Sequence, residues 1–369
     1  MSVRLAGLGW VTPLGGTLDG VWAKLCAGET AAAQSLGDSL GTNECLGFLV
    51  PPSAIAEAPR HPRLRRASAI SRYAVAAGLA ALLDAGVELN AESAARTALV
   101  FAISNGGVIY TKRFYHEIVQ NGAQAASPLL FPETVFNAPA SHLAAILGIT
   151  GATYTLVGDG AVGILALRMA EDLMSDPELD RCLVVGAEEL DALVCDAYRR
   201  WRLIRARPPL EPFANPPRGA LLSEGAGAIL LARDGKIALE QIHPGGIFLR
   251  RNQLVRQLEK IVACLTTNEK PDLHVASANG TFIDAAEWEI ATKFFPDAAI
   301  YAPKAALGES IAASGIWQTI FAALALRETT LPPPSLGSGL TNGERALVTS
   351  CGMNQQVAAL MLRRYSRVA

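Results

Sequence analysis

Short β-prone apolar runs alternate with helical segments rich in Ala and Leu through both halves of this chain, and that alternation confines it to an α/β layered architecture. Residues 3–11, 97–103, 154–157 and 181–186 read as strands in the first half, the last of them buried. In the second half, 273–278, 346–350 and 357–362 read the same way. Helical spacing falls at 68–86, 161–174, 252–265, from Asp284 onward, and at 310–326. Thr17 stands where a cap would start a helix running to Gly28, with Val21, Leu25 and Cys26 inward. Residues 219–233 read as paired strands broken by Glu224-Gly225-Ala226-Gly227. Residues 37–62 read as an irregular surface excursion, and 331–342, with Pro332-Pro333-Pro334, as a loop. The repeat of the alternation divides the chain into two similar halves, 1–235 and 236–369.

Half of the residues are hydrophobic and the mean hydropathy is +0.26, so either the core is extensive or a partner covers a large apolar face. A net charge of −2 gives no global attraction to nucleic acid or to an anionic membrane. The first ten residues lack the charged start and long apolar stretch of a signal peptide. No uninterrupted apolar run reaches the roughly 18 residues that a membrane span needs. Cys26, Cys45, Cys182, Cys195, Cys264 and Cys351 are scattered and never form a C-x-x-C pair. This pattern points to a cytoplasmic protein with reduced thiols, without zinc and without a cofactor.

The segment Gly151-Ala-Thr-Tyr-Thr-Leu-Val-Gly-Asp-Gly160-Ala-Val-Gly163 resembles the nucleophile elbow of the β-ketoacyl-acyl-carrier-protein synthases. Other blocks agree in order and spacing. Leu5-Ala-Gly-Leu-Gly-Trp-Val-Thr-Pro-Leu-Gly15 resembles the family's opening strand and turn, and Phe136-Asn137-Ala-Pro-Ala-Ser-His142-Leu143 its interface helix. Val185-Gly-Ala-Glu188 resembles its strand end after the elbow, and Ser223-Glu224-Gly225-Ala226-Gly227 its glycine-rich hairpin. The resemblance covers nearly the whole chain and implies a thiolase-like, five-layered αβαβα fold with two pseudo-repeated halves.

The departures are chemical. Gly160 stands where the family has its nucleophilic cysteine. Asn279, in Ala278-Asn279-Gly280-Thr281, replaces one histidine; Glu309, five residues after Lys304, replaces the other. The family's glycine- and phenylalanine-rich oxyanion loop has become Cys351-Gly352-Met353-Asn354-Gln355. Condensation needs a thiolate and neutral imidazoles that stabilise an enolate. Gly160 has nothing to acylate, Asn279 retains one donor, and Glu309 would repel the developing charge. The catalytic set is therefore empty.

Polar residues near these positions read as structural. Asp159 reads as the N-cap of the following helix, Lys304 and Glu309 as a buried ion pair, and Cys351 as an inert thiol at a strand end. None of the five histidines shows pairing with a cysteine or metal-ligand spacing. Arg63, Arg65 and Arg66 precede a segment that resembles the family's docking surface for acidic carrier protein. Tyr198-Arg-Arg-Trp-Arg202 with Arg205 forms a second basic cluster. A solvated face is the competing meaning for both.

Family members are dimers whose acyl tunnels end against the opposite subunit. Among them, the chain resembles the cysteine-less chain-length factors of type II polyketide systems, particularly the short forms of aryl polyene pathways. The implied partners are an active β-ketoacyl-acyl-carrier-protein synthase subunit and an acyl carrier protein. The resemblance puts residues 105–116 at the tunnel end, helical from about Val108. There Tyr110 and Phe114 form one i,i+4 pair and Thr111 shares a face with Val108. These aromatics read as a tunnel floor or as ordinary core. Two further readings stand beside the chain-length factor: a homodimeric acyl- or carrier-protein-binding module, and an acyl-thioester hydrolase using Asp159 or Glu309.

Overall fold

The computed structural model describes residues 3–37, 45–205, 207–267, 269–333, 335–336 and 343–365. Its strands are β1 (Arg4–Val11), β2 (Ala33–Ser35), β3 (Leu46–Phe48), β4 (Thr97–Ile103), β5 (Thr153–Val157), β6 (Arg181–Glu188), β7 (Gly225–Ala232), β8 (Ile237–Ile242), β9 (Gly246–Ile247), β10 (Leu273–Val275), β11 (Ala299–Tyr301), β12 (Arg345–Cys351) and β13 (Gln356–Arg364). Its helices are α1 (Leu18–Cys26), α2 (Ala69–Asp84), α3 (Ala91–Ala95), α4 (Val108–Asn121), α5 (Ala138–Leu147), α6 (Val162–Leu173), α7 (Ala192–Arg200), α8 (Leu254–Leu265), α9 (Ile283–Phe294), α10 (Lys304–Leu307) and α11 (Ser314–Glu328).

The main sheet runs β11-β10-β12-β13-β8-β1-β7-β6-β4-β5, with β9 added against β13. Its two halves repeat one pairing scheme. From the outer edge, β5-β4-β6 are parallel and β6-β7-β1 antiparallel; β11-β10-β12 are parallel and β12-β13-β8 antiparallel. The two halves of the sheet join where β1 pairs with β8, Arg4 opposite Ala238 and Leu5 opposite Ile237.

Two helices fill the space between the halves. α6 packs on β4 and β6, α11 on β10, β12 and β7, and the two helices touch. Residues 314–326 of α11 are buried without a break, which is why its sequence carries no polar stripe. The outer layers are α2 with α5 over β1, β6 and β7, and α8 with α9 beside β13. The result is the five-layered αβαβα arrangement. Gly9 allows α2 to lie directly on β1, since a Cβ there would sit 2.2 Å from the Ala77 carbonyl oxygen.

Several local expectations need correction. Residues 219–224 form no strand of a pair. They make isolated bridges, Ala220 to Ile204, Ser223 to Phe48 and Leu222 to Glu309, because neighbours from three separate segments take their backbone groups. The excursion at 37–62 contains β3, which pairs with β2; residues 38–44 lie outside the described residues. In the loop at 331–342, Leu336 bridges Ile300, while 334 and 337–342 lie outside the described residues. β8 was not legible, because Glu240 and Gln241 interrupt its apolar run with exposed side chains. Thr17 occupies the N-cap of α1, but its side chain makes no capping bond.

Trp317 of α11 is buried and its Nε1 donates to the Ala226 carbonyl at 2.8 Å, tying the inner helix to β7. Trp317→Ala is expected to lower unfolding free energy by about 3–5 kcal/mol, read from the urea midpoint at constant m-value.

Candidate functional site

β5 ends at Val157, and Gly158-Asp159-Gly160-Ala161 turns the chain into α6. Two loops from the second half close over this turn. The Gly160 carbonyl accepts the Ser350 hydroxyl at 2.8 Å. A Cβ on Gly160 would lie 3.0 Å from the Gly352 Cα and 3.2 Å from the Cys351 carbonyl oxygen, so a side chain there would need this backbone to give by a few tenths of an ångström. Asp159 fastens that loop. Its carboxylate accepts the Asn354 N–H at 2.7 Å, and its own N–H donates to Gln356 Oε1 at 2.7 Å. A Cβ on Gly352 would fall 1.8 Å from the same carboxylate, so only glycine fits. Asp159 is therefore not the N-cap of α6. That position belongs to Ala161 without a side-chain bond, because the carboxylate is drawn to free N–H groups across the elbow. Burial pushes the Asp159 carboxyl up, with N–H groups of Gly160, Asn354 and Gln356 working against it and the negative field of Glu309 adding to it.

Behind the elbow lies a buried polar chain. Glu309 Oε2 accepts Lys304 Nζ at 2.7 Å and Asn279 Nδ2 at 2.9 Å. Lys304 also donates to Ser277 Oγ at 3.0 Å, and that hydroxyl accepts the Cys351 N–H at 2.8 Å. Asn279 Oδ1 accepts the Thr281 hydroxyl at 2.6 Å. The Asp284 carboxylate holds the Asn279 N–H at 2.8 Å and the Phe213 N–H at 2.6 Å. Lys304 and Glu309 are each 2% exposed, so the pair is a closed ion pair in a low-dielectric interior. Glu309 Oε1 is buried and has no partner among the described residues.

Cys351 is fully buried, and its Sγ donates to Glu287 Oε1 at 3.3 Å. Burial first, then the Glu287 charge, push its thiol far from the thiolate. Glu287 Oε2 contacts His274 Nε2 at 3.0 Å and accepts the Thr349 hydroxyl at 2.8 Å. His274 is thus linked to a cysteine through a carboxylate, contrary to the sequence reading. β10 and β12, adjacent in the sheet, place His274 and Thr349 side by side, and no linear spacing reveals this. Burial opposes ionisation of Glu287, but the bonds from His274, Thr349 and Cys351 outweigh it and hold the carboxyl low.

The chain matches the profile for the β-ketoacyl synthase N-terminal domain over residues 53–236 and that for its C-terminal domain over 252–336. It belongs to the β-ketoacyl synthase family. Its sequence is 24% identical over 254 residues to 3-oxoacyl-[acyl-carrier-protein] synthase 2 of Vibrio cholerae, covering 65% of this chain and 61% of that one. It is 23% identical over 367 residues to the enzyme of the same name from Coxiella burnetii, covering 90% and 87%. Among solved structures it is similar to the ishigamide ketosynthase/chain length factor, with a TM-score of 0.83, 20% identity and 99% of each chain covered. It is also similar to a ketosynthase in complex with its chain length factor from Xenorhabdus doucetiae, with a TM-score of 0.80, 18% identity, and 99% and 98% covered.

The remaining predicted positions of this β-ketoacyl synthase homologue fall in two further places. α4 begins at Val108 and has no buried residue, so Tyr110, Thr111 and Phe114 are not core. The Tyr110 hydroxyl donates to the Arg66 carbonyl at 2.7 Å, and Phe114 packs on Phe131 with centroids 5.8 Å apart. Phe136 and Asn137 are exposed just before α5, while Leu143 faces the core rather than an interface. His142 Nε2 meets Glu133 Oε1 at 2.6 Å. Arg63, Arg65 and Arg66 are exposed at a single turn before α2. Glu224 is buried, accepting the Val50 N–H, the Leu190 N–H and the Tyr73 hydroxyl.

Sequence reasoning missed Glu188 and Glu189, two consecutive acids closing a buried strand. Glu188 accepts the N–H groups of Ser104 and Asn105, and Glu189 that of Ile109 at the start of α4. Burial raises Glu188 to about 8 and Glu189 to about 7. A raised carboxyl contributes stability that is complete below its unfolded value, near 4.3, and is lost as pH climbs to the folded one. Wild-type stability should therefore fall between pH 5 and 8.5, and Glu188→Gln should flatten the slope by roughly a few kcal/mol, measured by urea unfolding across that range.

The ion pair gives a second expectation. Lys304→Met alone strands a buried carboxylate and should cost about 3–5 kcal/mol, whereas Lys304→Met with Glu309→Leu should recover most of it. A double-mutant cycle in urea reads the difference.

Proposed function

We propose that this chain is a catalytically inert β-ketoacyl-synthase-like subunit that pairs with an active β-ketoacyl-acyl-carrier-protein synthase and shapes its acyl tunnel, as a chain-length factor in type II polyketide or polyene synthesis. The observation that carries this reading is the elbow itself: Gly160 offers no nucleophile, and the backbone of Cys351 and Gly352 packs tightly against the place where its side chain would be. Asn279 and Glu309 stand where the resemblance puts the two imidazoles, and Glu309, bonded to Asn279 and Lys304, would supply a carboxylate where an enolate would form. A hydrolase using Asp159 gains nothing from this geometry, since its carboxylate is engaged with loop N–H groups.

An uncovered apolar face supports pairing. Tyr115, Val119, Leu129, Phe131, Val135 and Phe136 are exposed, Phe131 packs on Phe114, and the adjoining edge strand β5 exposes Tyr154 and Val157. A single chain rarely leaves such a patch open to water. The arginines Arg60, Arg63, Arg65 and Arg72, all exposed, lie around or beside a 450 Å³ depression, a surface suited to an acidic carrier protein.

Coexpression with a ketosynthase encoded beside it should yield a 1:1 complex burying more than about 2,000 Å², seen by size exclusion with light scattering. In the reconstituted complex, Tyr110→Ala or Phe114→Ala should lengthen the carrier-bound product while leaving initial elongation nearly unchanged, read by mass spectrometry. A stable homodimer that ignores the ketosynthase would favour the binding-module reading instead. Unshifted product lengths in an intact complex would remove α4 from the tunnel floor.

A further inference from the structure

β6 ends in Glu188, Glu189 follows it directly, and Glu224 takes the next N–H along, that of Leu190, at 3.2 Å; all three acids are buried. Among the described residues, no lysine, arginine or histidine forms an ion pair with any of them. Backbone compensates instead. Glu188 accepts the Ser104 and Asn105 N–H groups at 3.1 and 3.0 Å, and Glu189 accepts that of Ile109 at 3.3 Å. All three donors lie on one stretch, the turn into α4 and its first residues. The second oxygen of Glu189 is buried without a partner among the described residues.

α4 is lightly held. None of its residues is buried, and it packs on the short turns at 123–125 and 131–134 that follow it in the chain. Its other ties are the Tyr110 hydroxyl on the Arg66 carbonyl and the Lys112–Asp191 ion pair at 3.3 Å. Gly106 and Gly122, with φ of +67° and +85°, stand at its two ends, where a hinge needs backbone freedom. Adjacent carboxyls buried away from any cation favour their neutral forms, and a neutral carboxyl still accepts an N–H through its carbonyl oxygen. Two anions in the same place need water, and the segment bonded to them is what keeps water out.

We propose that Glu188 and Glu189 form a pH-sensitive latch: they hold residues 104–121 against the molecule while protonated and release that segment as the pH rises and both ionise. The latch belongs to the chain by itself and goes beyond the pairing proposed above. It moves the exposed Tyr115 and Val119, and with Ser104 and Asn105 one wall of the 560 Å³ pocket beside Asp159. The closed-state values of about 8 and about 7 lie above the solvated value near 4.3. Closure is therefore strongest below the solvated value and weakens until both closed-state values are passed.

The neighbouring charges come from several elements. Tyr198 of α7 faces Glu188; Glu224, Tyr73 of α2 and Tyr110 of α4 face Glu189. Arg72 and Arg113 lie near Tyr110, and Lys112 is held by Asp191. Burial pushes all three tyrosines up, so they stay neutral. His116 is exposed on α4, and His142 is bonded to Glu133 on the turn beneath it. Histidine is the other residue type that changes charge near neutrality, so both serve as controls.

The test is hydrogen exchange of the isolated full-length chain, read by peptide from pH 5.5 to 8 and corrected for the intrinsic rate. Protection of residues 110–121 should fall by about 100-fold over that range. Adding 1 M urea should change it little, because local opening exposes little surface. In Glu188→Gln/Glu189→Gln the fall should shrink to within about 3-fold, whereas His116→Gln and His142→Gln should keep it. Wild-type protection that varies by less than about 3-fold with pH would overturn the latch. So would a fall that persists in the double glutamine variant, or one that disappears with either histidine. A urea dependence equal to that of whole-chain unfolding would overturn it as well, since the opening would then be global. Should the double variant fail to fold, Glu189→Gln alone keeps the oxygen bonded to Ile109 and should reduce the fall to about 10-fold; an unchanged fall there decides against the latch.

Discussion

The contact between α6 and α11 organises this protein. Two sheet halves with the same pairing scheme join along the short β1–β8 pairing, and the helix pair buried between them adds a large apolar contact that holds them together. Burying 13 consecutive residues of α11 removes several hundred Å² of apolar surface from water, worth on the order of 10 kcal/mol. The same contact fixes the site. α6 starts at the elbow and α11 follows Glu309, while β12 beside α11 delivers the loop that closes on Gly160.

Once these segments meet, the polar groups they carry have to be satisfied away from water. Lys304, Glu309, Asn279 and Ser277 form a network that pairs one cation with one anion and bonds each to a further side chain, leaving one oxygen of Glu309 without a partner among the described residues. Such a network resists rearrangement, because breaking either charge free strands the other in a low-dielectric interior.

A second theme is the use of buried carboxylates to hold backbone. Glu188, Glu189, Glu224 and Asp284 each accept N–H groups from loops or helix starts, where no regular hydrogen bond is available. Glu188 and Glu189 anchor the beginning of α4, so the helix with the exposed aromatic face depends on groups that titrate near neutrality. The exposed face and its anchor are thus set by different residues: the first by Tyr115, Val119 and Phe131, the second by two acids at the end of β6.

Alternation of strand and helix was legible because it depends on local periodicity. β4 lies at residues 97–103, the run read from sequence, and α6 and β13 lie within two residues of theirs. Membership of the β-ketoacyl synthase family was legible as well, since the blocks that carry the resemblance occur in order along the chain. Local pattern failed where partners come from elsewhere. It missed β8, whose pairing with β13 and β1 compensates for polar residues, and it misread 219–224, whose bonds go to three distant segments. The role of Asp159 and the link from His274 to Cys351 were decided by the tertiary structure alone. A side chain's type is written in sequence, but its partners are chosen by which strands lie side by side and which groups burial leaves without water.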